Sequence, residues 1–184
     1  MAFPITWPHR LVSGLDAINL FIGKAVACLT LVMVGVTCAV VVMRRGFDLG
    51  SIGLQESVTY MHAAVFMLGA AYALRLGAQV RVDILYRRFH FRTRAWVDSL
   101  GALLFLLPMA LFIGFISWDF VAASWRIREG STDSGGLGAI YLFKTLIPLT
   151  ATSLSLQALA EILRNGLVLM GLAEPEVAER EQDL

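Results

Sequence analysis

Charge is scarce in this 184-residue chain. Only 16% of its residues are Asp, Glu, Lys or Arg, against about 25% in an average soluble domain. The only two cysteines, Cys28 and Cys38, sit in one apolar run. On a helix that spacing puts them about 280° apart in azimuth and about 15 Å apart along the axis. Such a separation excludes a disulfide between them and matches no metal-site spacing, so both read as small apolar residues. There is no Gly-rich phosphate loop and no recognisably spaced nucleophile–His–acid set, and an enzyme reading has no positive support. No basic face alternates with stacking aromatics, which argues against a nucleic-acid partner. Histidine is short as well. His62 alone lies inside a long apolar segment, with His9 and His90 outside, so a haem held by two membrane histidines is not supported. No cofactor and no metal site are expected.

What the chain has in quantity is apolar surface. It is 58% hydrophobic, with a mean hydropathy of +0.72. Crossing a hydrocarbon core about 30 Å thick takes about 20 mostly apolar residues on a helix. Ala25 to Met43 carries no charge and would rise about 28 Å. Ser57 to Leu74 and Ser99 to Trp118 are likewise free of formal charge, and Thr145 to Ala160 is extended by apolar residues on both sides. The sequence therefore predicts an all-α membrane protein with four transmembrane helices, at about 20–43, 55–78, 96–124 and 138–170. The last is long for a vertical helix and calls for tilt or a break at Pro148. The first run is too long for a cleavable signal and reads as an anchor. Residues 1–19 precede it, with Trp7, Leu11, Leu15 and Ile18 at helical spacing and Ser13 and Asp16 off that stripe. This is either a short in-plane amphipathic helix or a frayed terminus. The tail at 171–184 is acidic, has no apolar face and is expected to be disordered.

Direction follows from the arginines. Arg75, Arg81, Arg87, Arg88, Arg92 and Arg94 fall in the second connection, whereas the first holds Arg44 and Arg45. Lysine and arginine in short loops resist translocation. The second connection is thus expected on the cytoplasmic side, and with four spans both termini join it there. Arg87, Arg88, Arg92 and Arg94 are candidate anchors for anionic lipid headgroups. Trp96, with Tyr86, Phe89 and Phe91, suits the inner interface, and Trp118, Trp125 and Tyr141 suit the outer one. Within this loop, residues from about Asp83 to His90 suggest a second in-plane segment, with Thr93 as N-cap of the third span.

Ionisable groups within the bilayer are costly, so each calls for a reason. Glu56, Asp119, Arg126 and Lys144 lie towards the outer interface; Arg75 and Glu161 lie towards the inner one. Thr150, Ser153, Gln157, Glu161 and Arg164 follow at steps of three and four and share one face of span four. Lipid cannot satisfy that face, which must meet protein or interfacial water. Gly69, Ala73 and Gly77 form a small-residue stripe on span two that permits close helix approach. The candidate positions Glu56, Gly69, Ala73, Gly77, Asp119, Lys144, Gln157 and Glu161 have two readings at this point. They fix the order of helices within the bundle, or they contact a second subunit.

Several stretches carry a family pattern. They are QES at 55–57, GAAYALRLGAQVRVDILY at 69–86, SWRIREGSTDSGGL at 124–137, Lys144, Ile147–Pro148 and SLSLQALAEILR at 153–164. In this order, with four spans and a basic middle loop, the chain resembles the small membrane subunit of tripartite ATP-independent periplasmic (TRAP) transporters. The resemblance runs from about residue 15 to 170. Members of that family often carry His where this chain has Gln79.

The resemblance implies a non-catalytic scaffold subunit in the cytoplasmic membrane of a bacterium or archaeon. Its implied partners are a large transmembrane permease subunit, a periplasmic substrate-binding protein and membrane lipids. The transporter would be sodium-driven and would import organic anions, carboxylates above all. Sodium and substrate ligands are expected in the large subunit. The outer loop at 130–138 is either an ordinary turn or a contact for the docked binding protein. A reading from another class is a membrane anchor of a respiratory or quinone-linked oxidoreductase, which rests on four spans and His62.

Overall fold

The computed structural model describes residues 6–78, 86 and 88–172, with side chains from Val12 onward. All regular structure among them is helical. Helix α1 runs Thr6–Gly46 and α2 runs Ile52–Arg75. The third span is built of α3 (Phe91–Gly101), a π-helical turn (Ala102–Leu106) and α4 (Leu107–Ile127). Helix α5 runs Ile140–Leu169. All four spans are long and apolar enough to cross a membrane.

Local chemistry explains most of the boundaries. Ser51 caps α2, its hydroxyl accepting from the Leu54 N–H at 3.4 Å. At the other end Gly77 adopts φ +61°. Its N–H bonds the Leu74 carbonyl while the Ala78 N–H reaches the Ala73 carbonyl, both at 3.0 Å. This pairing satisfies carbonyls the helix would leave bare, and glycine takes the left-handed conformation without a Cβ clash. Gly77 therefore ends α2 rather than extending a packing stripe. The π turn closes with the Leu107 N–H on the Ala102 carbonyl. Pro108 follows at once, and its missing N–H interrupts the regular ladder there. Pro148 is different. It lies inside the 30-residue α5, which runs on through it, so of the tilt or break that the length called for, the break does not occur.

Two further expectations are corrected. Residues 7–20 form no separate in-plane segment; they are the first turns of the 41-residue α1, which is about 60 Å long. Thr93 does not cap the third span, because α3 starts two residues earlier with His90 in extended conformation before it. The Thr93 N–H already bonds the His90 carbonyl at 2.9 Å. The suggested second in-plane segment and the acidic tail fall largely outside the described residues.

Helix α5 is the hub of the bundle. It packs against α1, α2, α3, the π turn and α4, and α1 packs in addition along α2. Its buried face uses small residues, Ala151, Ala158 and Ala160, and Ala71 and Ala110 are buried on the helices beside it. The largest fully buried side chains are Gln157, Asn19 and Ser124, all polar. Large apolar residues such as Phe66, Phe105 and Phe115 point outward. The arrangement suits lipid, where apolar burial offers no drive and helices associate through close packing and hydrogen bonds. Gly23 shows how close. A Cβ there would lie 2.3 Å from Tyr72 Cγ, so α1 and α2 meet where only hydrogen fits.

Candidate functional site

The polar residues that lipid cannot accept gather in two clusters at opposite ends of the bundle. The first is on the side of the arginine-rich connection. Asp16 of α1 is 8% exposed and faces two cations. Arg75 Nε of α2 stands 2.9 Å from its Oδ1, and Arg164 Nη2 of α5 lies 2.8 Å from Oδ1 and 2.9 Å from Oδ2. Arg164 Nη1 reaches Glu161 Oε2 at 3.1 Å. Two acids and two bases thus join three spans with no net charge. One turn deeper, Asn19 Nδ2 donates to Gln157 Oε1 at 2.8 Å, and Ser153 Oγ donates to Asn19 Oδ1 at 3.2 Å. Both amides are 1% exposed.

These contacts come from facing stripes. Asp16, Asn19, Gly23 and Val26, all buried, follow at steps of three, four and three on one side of α1. They meet Ser153, Gln157 and Arg164 of α5, and Gly23 and Val26 reach Tyr72 and Gly69 of α2. Sequence reasoning set Asp16 aside as off the apolar stripe and passed over Asn19. In a membrane the polar and small side turns inward, and Ile18 from the apolar stripe faces out. The polar 3–4 spacing of residues 16, 19 and 23 was the available signal.

The second cluster closes the opposite end. Glu56 of α2 accepts the Ser131 hydroxyl through Oε1 and the Leu137 N–H at 2.6 Å through Oε2. Both donors belong to the connection between α4 and α5, so this carboxylate clamps the loop onto α2. Gly135, at φ +85°, lets the chain turn there, and Gly136 passes so near Glu56 that a Cβ would stand 2.7 Å from Oε1. Lys144 Nζ lies 2.5 Å from Glu129 Oε2 and 4.1 Å above the Phe120 ring. The hydrogen bond from Lys144 holds the Glu129 carboxyl below the usual carboxylate range. Trp125 Nε1 donates to Thr145 Oγ1 at 2.8 Å and its ring meets Tyr141 edge-on.

The remaining candidates disperse. Asp119 is exposed on α4 and joins no described ion pair, so the Glu56, Asp119, Lys144 grouping is not assembled. Gly69 sits at the α1 crossing, and Ala73 is half-buried. Arg88, Arg92 and Trp96 are exposed. Arg94 Nε donates to the Phe89 carbonyl at 3.0 Å, its guanidinium lies 5.4 Å from the Tyr86 ring centre, and the Tyr86 hydroxyl bonds Asp98. Arg87 lies outside the described residues. Among the described residues no three His, Cys, Asp or Glu side chains are grouped to hold a metal ion. The geometry is one of helix fixing, with no grouped reactive centre among those residues.

Comparison with known proteins bears on the family. The family model described as "Tripartite ATP-independent periplasmic transporters, DctQ component" matches residues 33–166. No curated protein and no solved structure matches. The match takes in α5 as far as residue 166 with its stripe, Glu56 and the clamped loop, and most of the chain. This four-helix protein of the inner membrane therefore belongs to the DctQ family, the small permease subunit of TRAP transporters.

Proposed function

We propose that the chain is the static scaffold of a sodium-driven importer of organic anions, carboxylates foremost. In this reading it braces a large transport subunit and helps seat a periplasmic binding protein. Family membership supports the assignment to a tripartite system. It does not favour the alternative of an oxidoreductase anchor. One observation carries the mechanical role: the Asp16, Arg75 and Arg164 contacts lock α1, α2 and α5 together. Closing the gap between three spans with ion pairs and near-zero-exposure amides makes a unit that resists sliding, which is what a neighbour needs if it is to move against it.

Orientation completes the proposal. The arginine-rich connection lies in the cytoplasm, so the Asp16 cluster is cytoplasmic and the Glu56 clamp periplasmic. The clamped loop then presents Thr132, Asp133 and Ser134, all exposed, to the side from which a binding protein approaches. The test is purification and reconstitution of the large subunit with and without this chain. Uptake should require both, together with the binding protein and a sodium gradient. Full uptake by the large subunit alone, at equal abundance, would overturn the scaffold role.

A further inference from the structure

We infer that Arg126, Ile127 and Arg128, at the tip of α4, dock the soluble binding protein, which meets them with an apolar pocket rimmed by carboxylates. The inference rests on the scaffold reading and its orientation, and adds to them the contact residues and their chemistry.

Height above the bilayer sets this tip apart. Each span has a charge-free run closed by ionisable residues. Arg44, Glu56, Asp119 and Lys144 close the four runs on one side, and Lys24, Arg75, Asp98 and Glu161 close them on the other. From Asp98 to Asp119 the rise is about 31 Å, close to the thickness of a hydrocarbon core. Helix α4 does not stop at that edge. It continues to Ile127, whose Cα stands about 12 Å above that of Asp119. The headgroup layer is about 5–7 Å deep on each side, so Ile127 stands clear of it. A tilt of about 20° shortens the height by less than about 1 Å.

An apolar side chain at that height is out of place in water. Ile127 is 73% exposed, and the arginines on either side of it are exposed too. Looseness does not account for this, because the flanking residues are pinned. Trp125 is held by Thr145 and Tyr141 of α5, and Glu129 by Lys144. The Glu129 N–H returns to the Ser124 carbonyl at 3.1 Å and closes the helix with Arg128 at φ +48°. That left-handed position ordinarily goes to glycine or asparagine. Asp48, the other described non-glycine residue at positive φ, has the short polar side chain that tolerates it. Arg128 does not, and neither it nor Arg126 joins an ion pair among the described residues. Arginine at this position therefore serves contacts outside the chain.

The same height decides between occupants. Acyl chains end about 12 Å below Ile127, which leaves water or protein. Asp133 is the exposed acid of the following loop, and two arginines against it leave the tip positive. Guanidiniums on both sides of an apolar side chain fit a surface with an apolar centre and an acidic rim. Each presents a fixed fork that matches a carboxylate. The soluble component of a tripartite system is the partner that arrives from this side. Arg44 and Arg45, by contrast, sit at the hydrocarbon edge, where lipid phosphates meet them.

The test uses the complex of this chain with the large subunit in nanodiscs of phosphatidylethanolamine and phosphatidylglycerol, with the purified binding protein as probe. Arg126→Glu combined with Arg128→Glu should weaken binding about tenfold or more and flatten its dependence on salt. Ile127→Ser should weaken it several-fold. Arg128→Gly removes the guanidinium and relieves the backbone, so binding should fall several-fold while the complex melts no lower. Arg44→Gln combined with Arg45→Gln should bind like the unsubstituted complex. Unchanged binding by the tip variants, or an equal loss from the Arg44 and Arg45 pair, would overturn the inference and leave the scaffold reading standing. If the large subunit alone holds the binding protein as tightly as the complex does, the docking role proposed above falls with it.

Discussion

Asp16 and Arg164, 148 positions apart, meet end to end, with one guanidinium nitrogen 2.8 Å and 2.9 Å from the two carboxylate oxygens. Arg75 approaches the same carboxylate from α2. A single acid therefore bridges two cations from two different spans, with Glu161 balancing the second charge, and its removal takes away the bridge between α1 and both arginines.

Asp16→Ala should cost about 2 kcal/mol, the scale of a lost hydrogen bond to a charged group. The measurement is the unfolding midpoint of the purified complex. Asp119→Ala should leave that midpoint unchanged, since Asp119 is exposed and outside any described ion pair. Equal losses from both would remove the special role of Asp16.

The α1–α2 crossing gives a steric prediction. Gly23→Ala places a Cβ 2.3 Å from Tyr72 Cγ and 2.8 Å from its Cβ. Overpacking of this kind costs about 1–3 kcal/mol. Adding Tyr72→Ala removes the two nearest contacts and should recover part of the loss. Gly35→Ala is the control, because nothing stands within 4 Å of a Cβ there.

The loop that Glu56 clamps should be acid-sensitive. Lys144 holds Glu129 below its ordinary value of 4.5 in the folded chain. As pH falls the unfolded carboxyl takes up its proton first, so the contact's contribution is fully present above pH 4.5. It is lost as pH drops through the lowered folded value. Hydrogen exchange of the amides at 129–141 should therefore rise only below about pH 4.5. Glu129→Gln should raise it at neutral pH and abolish the acid step. A step unaffected by Glu129→Gln would assign the sensitivity to another group.

The spans were legible because bilayer thickness imposes a length: Ala25 to Met43 has no charge and no soluble equivalent. The stripe on α5 was legible because Ser153, Gln157 and Arg164 keep helical spacing. What they touch was not, since no local rule says that α1 rather than a second protein supplies Asp16 and Asn19. Asp16 was misjudged because an apolar stripe at 7, 11, 15 and 18 suggests an in-plane helix whose other side, with Asp16, faces water. Lipid reverses that choice and draws the polar side in. Gly77 was misassigned for a smaller reason: four-residue spacing looks the same whether a glycine packs or ends the helix, and only φ tells them apart.

The described arginines at 88, 92 and 94 separate into two kinds, and substitution should show it. Arg88 and Arg92 are exposed and free to meet anionic headgroups, at about 1 kcal/mol each near the surface. Arg94 is engaged, with its Nε on the Phe89 carbonyl and its guanidinium against Tyr86, which in turn bonds Asp98 of α3. Replacing Arg88 and Arg92 by Lys keeps their charge and should leave both lipid association and stability in place. Arg94→Lys also keeps the charge but lacks the forked nitrogen, so it should loosen the start of α3. Amide exchange at 91–95 reads the difference. If Arg94→Lys exchanges like Arg88→Lys, the whole loop acts through charge alone.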